Sequence, residues 1–500
     1  MKKKIIWVMG GSDCSSGSGC QADVLTCCDF NVHAATVITT ITAQNAQEVL
    51  EVKFCDAHLV QTQIASLEKV FVPSVIKLGL LGRKAIFVVS SYLKKYKGFV
   101  VCDPILRSTS GVLFIEPHDL KNFIFPYVDL LTPNIPESEM FFQEKIHSQE
   151  DMVTIARAFL KLGVKSILLK GGHLNANEAC DFFTNGKKEF WLVNPRIKGV
   201  SVRGTGCSLS SAISSAVARG YSLEDAVVLG KMYVYQGIRS SFKIEGNALL
   251  GRQGFPRRSV SLPSVTQRIN SATLSTAFPS CGKLGFYPIV DSIAWVKKLL
   301  TWGIRTIQLR IKNQKLFIVK RIIAESVNLA RRYYRAKLFI NDYWKLAIES
   351  GAYGVHLGQD DLKTADISAI RSANLRLGIS THSLYELACA HAALPSYIAF
   401  GPIYKTTSKV MRFLPQGLSA LRYWHKISPY PIVAIGGINL ERLEAVLSTG
   451  VTNIAVISAV TMNDRPKKIV SDFHFRISYF SKAFQLINSV RSHVVKLKKQ

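Results

Sequence analysis

Eight short apolar runs recur from residue 285 onward: FYPIVD, TIQLRIK, LFIND, GVHLGQ, RLGIST, YIAFGPIY, IVAIGGI and NIAVISAV. Stretches of helical periodicity separate most of them. Parallel strands need a crossover between them, and a helix is the usual one. Eight such units leave no open edge if they close into a (β/α)8 TIM barrel, which is the fold expected of this half. Polar residues and glycines gather where the runs end: Arg310 and Lys312, Asn341 and Asp342, Gln359 and Asp361, Ser380, Gly436 and Gly437, Ser458. A single such residue is ordinarily a solvated loop tip. Run ends that all behave this way point to a site at the C-terminal mouth, with phosphate held after the last two strands, AIGGI and VISAV.

The first half has a different signal. Gly204, Thr205, Gly206 and Cys207 lead directly into the helical run SLSSAISSAVARG. The start of a helix exposes free N–H groups and the positive end of its dipole, and glycines let a phosphate approach closely. Cys207 stands in that field, where a thiol is expected to ionise more readily and to act as a base. Other motifs precede it: GGSDCSSGSGCQAD from residue 10, TAQN from 42, KLGLLG from 77, CDP from 102, LLTPNIPESE from 130 and LLKGGH from 168.

In order and spacing these motifs resemble the hydroxymethylpyrimidine and phosphomethylpyrimidine kinases of the ribokinase-like superfamily, over residues 5 to 240. The resemblance implies an α/β/α layer domain that phosphorylates the thiamine pyrimidine precursor twice with ATP. It places Gln44 at the pyrimidine, where Asp23 can accept from a ring amine or the hydroxymethyl group. Lys170, between an apolar run and two glycines, is a candidate for the ATP phosphates rather than a surface ion pair, and Asp103 and Glu139 are candidates for Mg²⁺ or its waters rather than helix caps or loop carboxylates. Gly204 to Cys207 would surround the transferring phosphoryl group. The pattern departs from the family at Cys14, Ser16 and Ser18, where Pro, Gly and Ala are usual, at Leu80 in place of Met, and at Arg203 in place of His. A serine at position 16 is strained only if that residue needs a positive φ.

Residues 284 to about 462 resemble thiamine-phosphate synthase. This resemblance implies that Gln308, Leu309, Arg310, Ile311, Lys312, Asn341, Ser380 and Lys409 bind a pyrimidine diphosphate. It also implies that Thr406, Thr407, Ser408, Gly437, Ile457 and Ser458 bind a thiazole phosphate, and that Asp342 and Asp361 hold Mg²⁺. Here Ile311 replaces a usual Glu, and Lys405 replaces a Pro. The product of the first domain would be the substrate of the second.

The whole chain is consistent with two enzymes in one. Five hundred residues suit two or three domains that need no metal or disulfide staples. Ten cysteines without C-x-x-C pairs indicate reduced thiols. Only Ile5 to Met9 precede Gly10 as an apolar run, short of a signal peptide, and no run approaches a membrane span, so a cytoplasmic protein is expected. Residues 1–240 carry 26 Lys and Arg against 21 Asp and Glu, and the remainder 37 against 13, so +24 of the formal +29 lies in the second half. That excess lacks the interleaved aromatics of a nucleic-acid surface, so the expected partners are small molecules, with a homo-oligomer left open. The boundaries read from the sequence are a kinase domain at 1–240, a Ser/Arg/Gly/Pro-rich linker at 241–283, a barrel at 284–465 and a basic extension at 466–500 that packs on the barrel.

Overall fold

The apolar run IIWVM forms the first half of strand β1 (Lys4–Asp13). Successive side chains of a strand point to opposite faces. Trp7 and Met9 enter a core with Val60, Ile64 and Ile86, from the helices Ala57–Glu68 and Arg83–Leu93. Ile6 and Val8 are buried on the other face, which the helices Gly19–Asp29 and Thr205–Ala218 cover. Burial on both faces makes the strand apolar throughout, as in sheets flanked by two helical layers. The computed structural model describes residues 3–45, 47–107, 113–172, 174, 177–267, 276–406 and 414–497, with side chains as far as 482. Two units divide the chain, Met1–Ser271 and Ala272–Gln500.

In the first unit β1 lies between β2 (Val32–Gln44) and β4 (Val75–Leu78), parallel to both, and β3 (Val49–Phe54) pairs antiparallel outside β2. The parallel run continues through β5 (Phe99–Cys102), β6 (Leu130–Leu131) and β7 (Ile167–Lys170). Beyond it β8 (Glu178–Thr184) and β9 (Glu189–Pro195) turn antiparallel. The segment after residue 240 is not the linker that its composition suggests. A hairpin of β10 (Phe242–Ile244) and β11 (Asn247–Leu249) is followed by β12 (Ser264–Thr266), which adds to the sheet edge against β9. Leu250 and Leu262 are buried in this unit, and Cys281 and Leu284 belong to the core of the second. Strands of three residues are too short to carry a periodicity that could be read in advance.

The second unit closes as expected. The strands β13 (Phe286–Val290), β14 (Thr306–Leu309), β15 (Lys337–Asn341), β16 (Gly354–Leu357), β17 (Arg376–Thr381), β18 (Tyr397–Phe400), β19 (Ile432–Ile435) and β20 (Asn453–Val456) pair in chain order, and β13 meets β20. All eight apolar runs supply a strand. The helix Pro466–Leu497 buries Val470, Phe473 and Ile477, and the Phe473 ring stacks on Phe286 of β13 at 5.2 Å. Among the described residues no helix is long and apolar enough to cross a membrane.

Candidate active sites

In the first unit the strand order runs outward in both directions from β1 and β4, and ligands of open parallel sheets bind beyond the carboxyl ends at such a switch point. Gly204 has φ +74°, and a Cβ there would lie 2.1 Å from the Gly17 carbonyl oxygen, so glycine is required where the two loops touch. A Cβ on Gly206 would stand 3.3 Å from Lys170 Nζ and 3.4 Å from Asp103 Oδ2. The turn that opens the helix at Thr205 therefore abuts a cation and a carboxylate. Lys170, the last residue of β7, donates to Asp103 Oδ1 at 3.0 Å. Burial alone would pull its ammonium down, but Asp103 and Glu137 outweigh that and hold it up, so the cation persists.

Glu137 was not expected at this site, and Glu139, which was, lies elsewhere. Glu139 accepts from Lys145 at 3.0 Å and from the Ile146 amide at 3.1 Å. Glu137 is half-buried, closes a capping box with Asn134, and is pushed up to about 7 by burial, against the pull of Lys170 and with a further push from Asp103. The Asn-x-x-Glu spacing was visible in the sequence: the third residue of a helix reaches back to its cap, which turns that carboxylate toward the strand ends.

The Cys207 thiol also departs from expectation. It is buried, and burial pushes it up to about 12, with Lys77 pulling down and Asp23 and Asp103 adding to the rise. At neutral pH it keeps its proton, because desolvation outweighs the helix terminus. Asp23 is not an open acceptor either. Both of its oxygens are engaged beneath the loop, by Lys77 Nζ at 2.8 Å and Ser211 Oγ at 2.7 Å.

Gln44 ends β2 with its side chain half-buried. Two departures from the family pattern meet there: Cys14 Sγ lies 3.2 Å from the Gln44 carbonyl oxygen, and Arg203 reaches Gln44 Oε1 at 3.5 Å and bonds the Asn45 carbonyl. Ser16 adopts φ +57°, so the serine that replaces glycine there carries the strain.

In the barrel, Lys312 pairs with Asp342, which follows β15 in a left-handed conformation at φ +65°. Asp361 faces the same point from the short helix after β16. Burial raises its pKa, as do the Asp342 charge and a hydrogen bond shared with Asp342, while Lys312 opposes them. The two carboxylates thus converge as expected of residues on neighbouring strand ends. Among the described residues the half-buried Arg310 side chain has no hydrogen bond or ion pair. Leu309 and Ile311 are buried, which leaves their backbones alone for ligand contact. Gln308 turns inward and donates to Tyr287 Oη at 3.2 Å. Asn341 is buried at the end of β15, and Ser380 is half-buried on β17.

A cavity of about 300 Å³ opens beside β19 and β20, lined among others by Lys405, Thr406, Gly437, Arg442, Ile457 and Ser458. Gly437, at φ +63°, would press a Cβ to 2.5 Å from the Lys405 carbonyl oxygen. Arg442, which the sequence reading missed, donates to the Gly437 carbonyl at 2.7 Å. Thr407, Ser408 and Lys409 lie outside the described residues. Also among the described residues, no group of three or more His, Cys, Asp or Glu is placed to hold a metal alone.

Residues 13–250 match the family model of phosphomethylpyrimidine kinase, and residues 286–460 that of thiamine monophosphate synthase. A thiamine-phosphate synthase of Yersinia pseudotuberculosis is 54% identical over 187 residues, 37% of this chain and 86% of that protein. Among solved structures, the pyridoxal kinase of Staphylococcus aureus in complex with AMP-PCP is 22% identical, covers 53% of this chain and 99% of its own, and has a TM-score of 0.50, a likeness of fold. A phosphomethylpyrimidine kinase of Clostridium difficile is 34% identical, with 46% of this chain and 98% of its own covered and a TM-score of 0.41. The chain belongs to the thiamine-phosphate synthase family through its barrel and carries a phosphomethylpyrimidine kinase unit of ribokinase-like fold ahead of it, which makes it a bifunctional transferase of thiamine biosynthesis.

Proposed function

We propose that both sites act in sequence, and that Mg²⁺ serves each of them. The observation that carries this reading is common to the two units: each sets a Lys–Asp ion pair at the carboxyl ends of its parallel strands, Lys170 with Asp103 and Lys312 with Asp342. A pair of that kind suits phosphate chemistry, because the ammonium attracts the phosphate while the carboxylate can hold a hard cation.

In the kinase unit Gln44 reads the pyrimidine edge, and Lys170 with the amides of the Gly204–Cys207 turn holds the transferring phosphoryl group. Phosphoryl transfer asks mainly for positioning and charge neutralisation, which these groups supply. Asp103 and Glu137 have the chemistry for Mg²⁺, with ATP as co-substrate. Cys207 must lose its proton before it can accept one from the substrate hydroxyl, so its thiol serves as a base only when the site helps it ionise.

In the barrel, Arg310, Lys312 and Lys409 neutralise the diphosphate. Negative charge grows on that group as it leaves, so these cations stabilise the transition state more than the ground state. Asp342 and Asp361 would hold Mg²⁺, a hard cation that takes carboxylate oxygens. When bound it offsets the charge of the leaving diphosphate. The cavity beside Gly437, Ile457 and Ser458, with Lys405 and Arg442 in its wall, takes the thiazole phosphate.

A pyridoxal-type acceptor is the rival for the first unit, since that fold is shared. The full chain with Mg-ATP is expected to release ADP faster with hydroxymethylpyrimidine than with pyridoxal. A preference for pyridoxal would overturn the acceptor assignment.

A further inference from the structure

Four polar side chains lie deep in the barrel, where apolar ones would pack without cost. Tyr287, Gln308, His356 and Tyr397 are 1%, 3%, 6% and 0% exposed. Buried polar groups are tolerated when each finds a partner, and these four form a chain. Gln308 Nε2 donates to Tyr287 Oη at 3.2 Å, and Tyr287 Oη lies 2.8 Å from Tyr397 Oη. Tyr397 Oη lies 2.9 Å from His356 Nδ1, and His356 Nε2 lies 2.8 Å from Ser380 Oγ, at the mouth. Ser380 is also held through its carbonyl, by Gln359 Nε2 at 2.7 Å.

We propose that this chain is a directional relay that fixes Ser380 as a hydrogen-bond donor to the ligand at the barrel mouth, with Tyr287, Tyr397 and His356 as positioning residues. Each phenol has one proton to give, and burial pushes both phenols up, so each keeps it. With Gln308 as donor, Tyr287 gives its proton to Tyr397, and Tyr397 gives its own to His356 Nδ1. His356 then carries its proton on Nε2 and bonds it to Ser380 Oγ. The Ser380 proton remains to be offered outward, toward an acceptor such as a nitrogen of a pyrimidine ring. If the chain ran the other way, Ser380 would give its proton to His356 and could only accept from the ligand. The order of donors thus selects between two kinds of ligand edge. The direction of the relay is a property of the resting protein; its effect on the reaction rests on the synthase reading above.

The test has two arms. Nitrogen NMR of the full chain without substrate, with His356 assigned by difference against His356→Asn, is expected to show a proton on Nε2 and none on Nδ1. Tyr397→Phe is expected to abolish that preference. A ring protonated on Nδ1, or on both nitrogens, would overturn the proposal whatever the enzyme does. In the second arm Tyr397→Phe is expected to lower kcat/KM for the pyrimidine diphosphate by about tenfold, with KM for the thiazole phosphate unchanged. Ser380→Ala should cost about as much, and the double variant no more than Ser380→Ala alone, because both act through one hydroxyl. Losses that multiply would show that Tyr397 only packs the core. If Tyr397→Phe does not fold, Tyr287→Phe, one bond further from the mouth, is read by the same two criteria. An inactive wild type with the expected tautomer would refute the synthase reading and leave the relay standing.

Discussion

The two sites bury their ion pairs to different depths. In the kinase unit the ions are sunk beneath the strand ends and already paired: Lys77 with Asp23, Lys170 with Asp103, and Lys231 with Asp181 at 2.7 Å. The Lys77 and Asp23 side chains are 1% and 2% exposed. In the barrel the ions stand at the rim. Lys312 is 46% exposed, two carboxylates face each other, and Arg310 has no partner among the described residues. A buried pair brings a fixed field to the phosphate at the cost of desolvation, and losing one member strands the other in low dielectric. A rim site keeps its Lys312–Asp342 pair partly hydrated and sets Asp361 against the Asp342 charge, so its residues add little to folding. Function and stability should therefore be coupled in the first unit and separable in the second.

The largest effect that could break this contrast is that of Lys170→Met. It should cut phosphoryl transfer by about 1,000-fold and also destabilise the first unit by about 3 kcal/mol, because Asp103 is left buried without its partner. Loss of activity with an unchanged thermal midpoint would contradict the coupling. Asp342→Asn or Asp361→Asn should cut synthase turnover by about 100-fold, on the order of 3 kcal/mol in the barrier, with kinase rate and thermal midpoint unchanged. A lowered midpoint with near-normal turnover at saturating Mg²⁺ would instead mark a helix cap.

Within the kinase site, Glu137→Gln should slow transfer by about tenfold and raise the Mg²⁺ requirement, while Glu139→Gln should leave both within about twofold. Equal effects of the two would remove the distinction drawn from the capping box. The Cys207 thiol gives a pH signature. With its pKa raised to about 12, the thiolate fraction still grows tenfold per pH unit throughout the stable range. If the thiolate is the base, kcat for phosphorylation should keep rising with pH, and Cys207→Ala should remove the slope. A pH-independent wild-type rate would leave only the amides of that turn as the contribution of the loop. The smallest expected effect is that of Ser16→Gly, a gain of up to about 1 kcal/mol in the thermal unfolding of the first unit through relief of the positive φ.

What could be read in advance follows the same contrast. The barrel was legible because each strand falls in a short, mostly apolar run and most of its candidate site residues lie at or just after the ends of those runs, so position along the chain nearly gives position in space. Asp342 and Asp361 needed only the rule that parallel strands end on one face. In the kinase unit the decisive partners are distant in sequence: Lys77 lies 54 residues from Asp23 and Lys170 67 from Asp103. Nothing local shows that Asp23 is buried or that the Cys207 thiol is desolvated. The strand Ser264–Thr266 was illegible because its three residues owe their form to pairing with β9. The inward turn of Gln308 was missed because a strand-end glutamine reads equally well as a ligand contact or as part of a core network.

The central claim is that one chain runs both steps. The purified chain would be given hydroxymethylpyrimidine, thiazole phosphate and Mg-ATP, and thiamine phosphate and ADP would be measured over time. Thiamine phosphate should appear after a lag, with about two ADP released per molecule formed, and none should form when any one substrate is withheld. ADP release without thiamine phosphate, or thiamine phosphate only when the pyrimidine diphosphate is supplied ready-made, would contradict it.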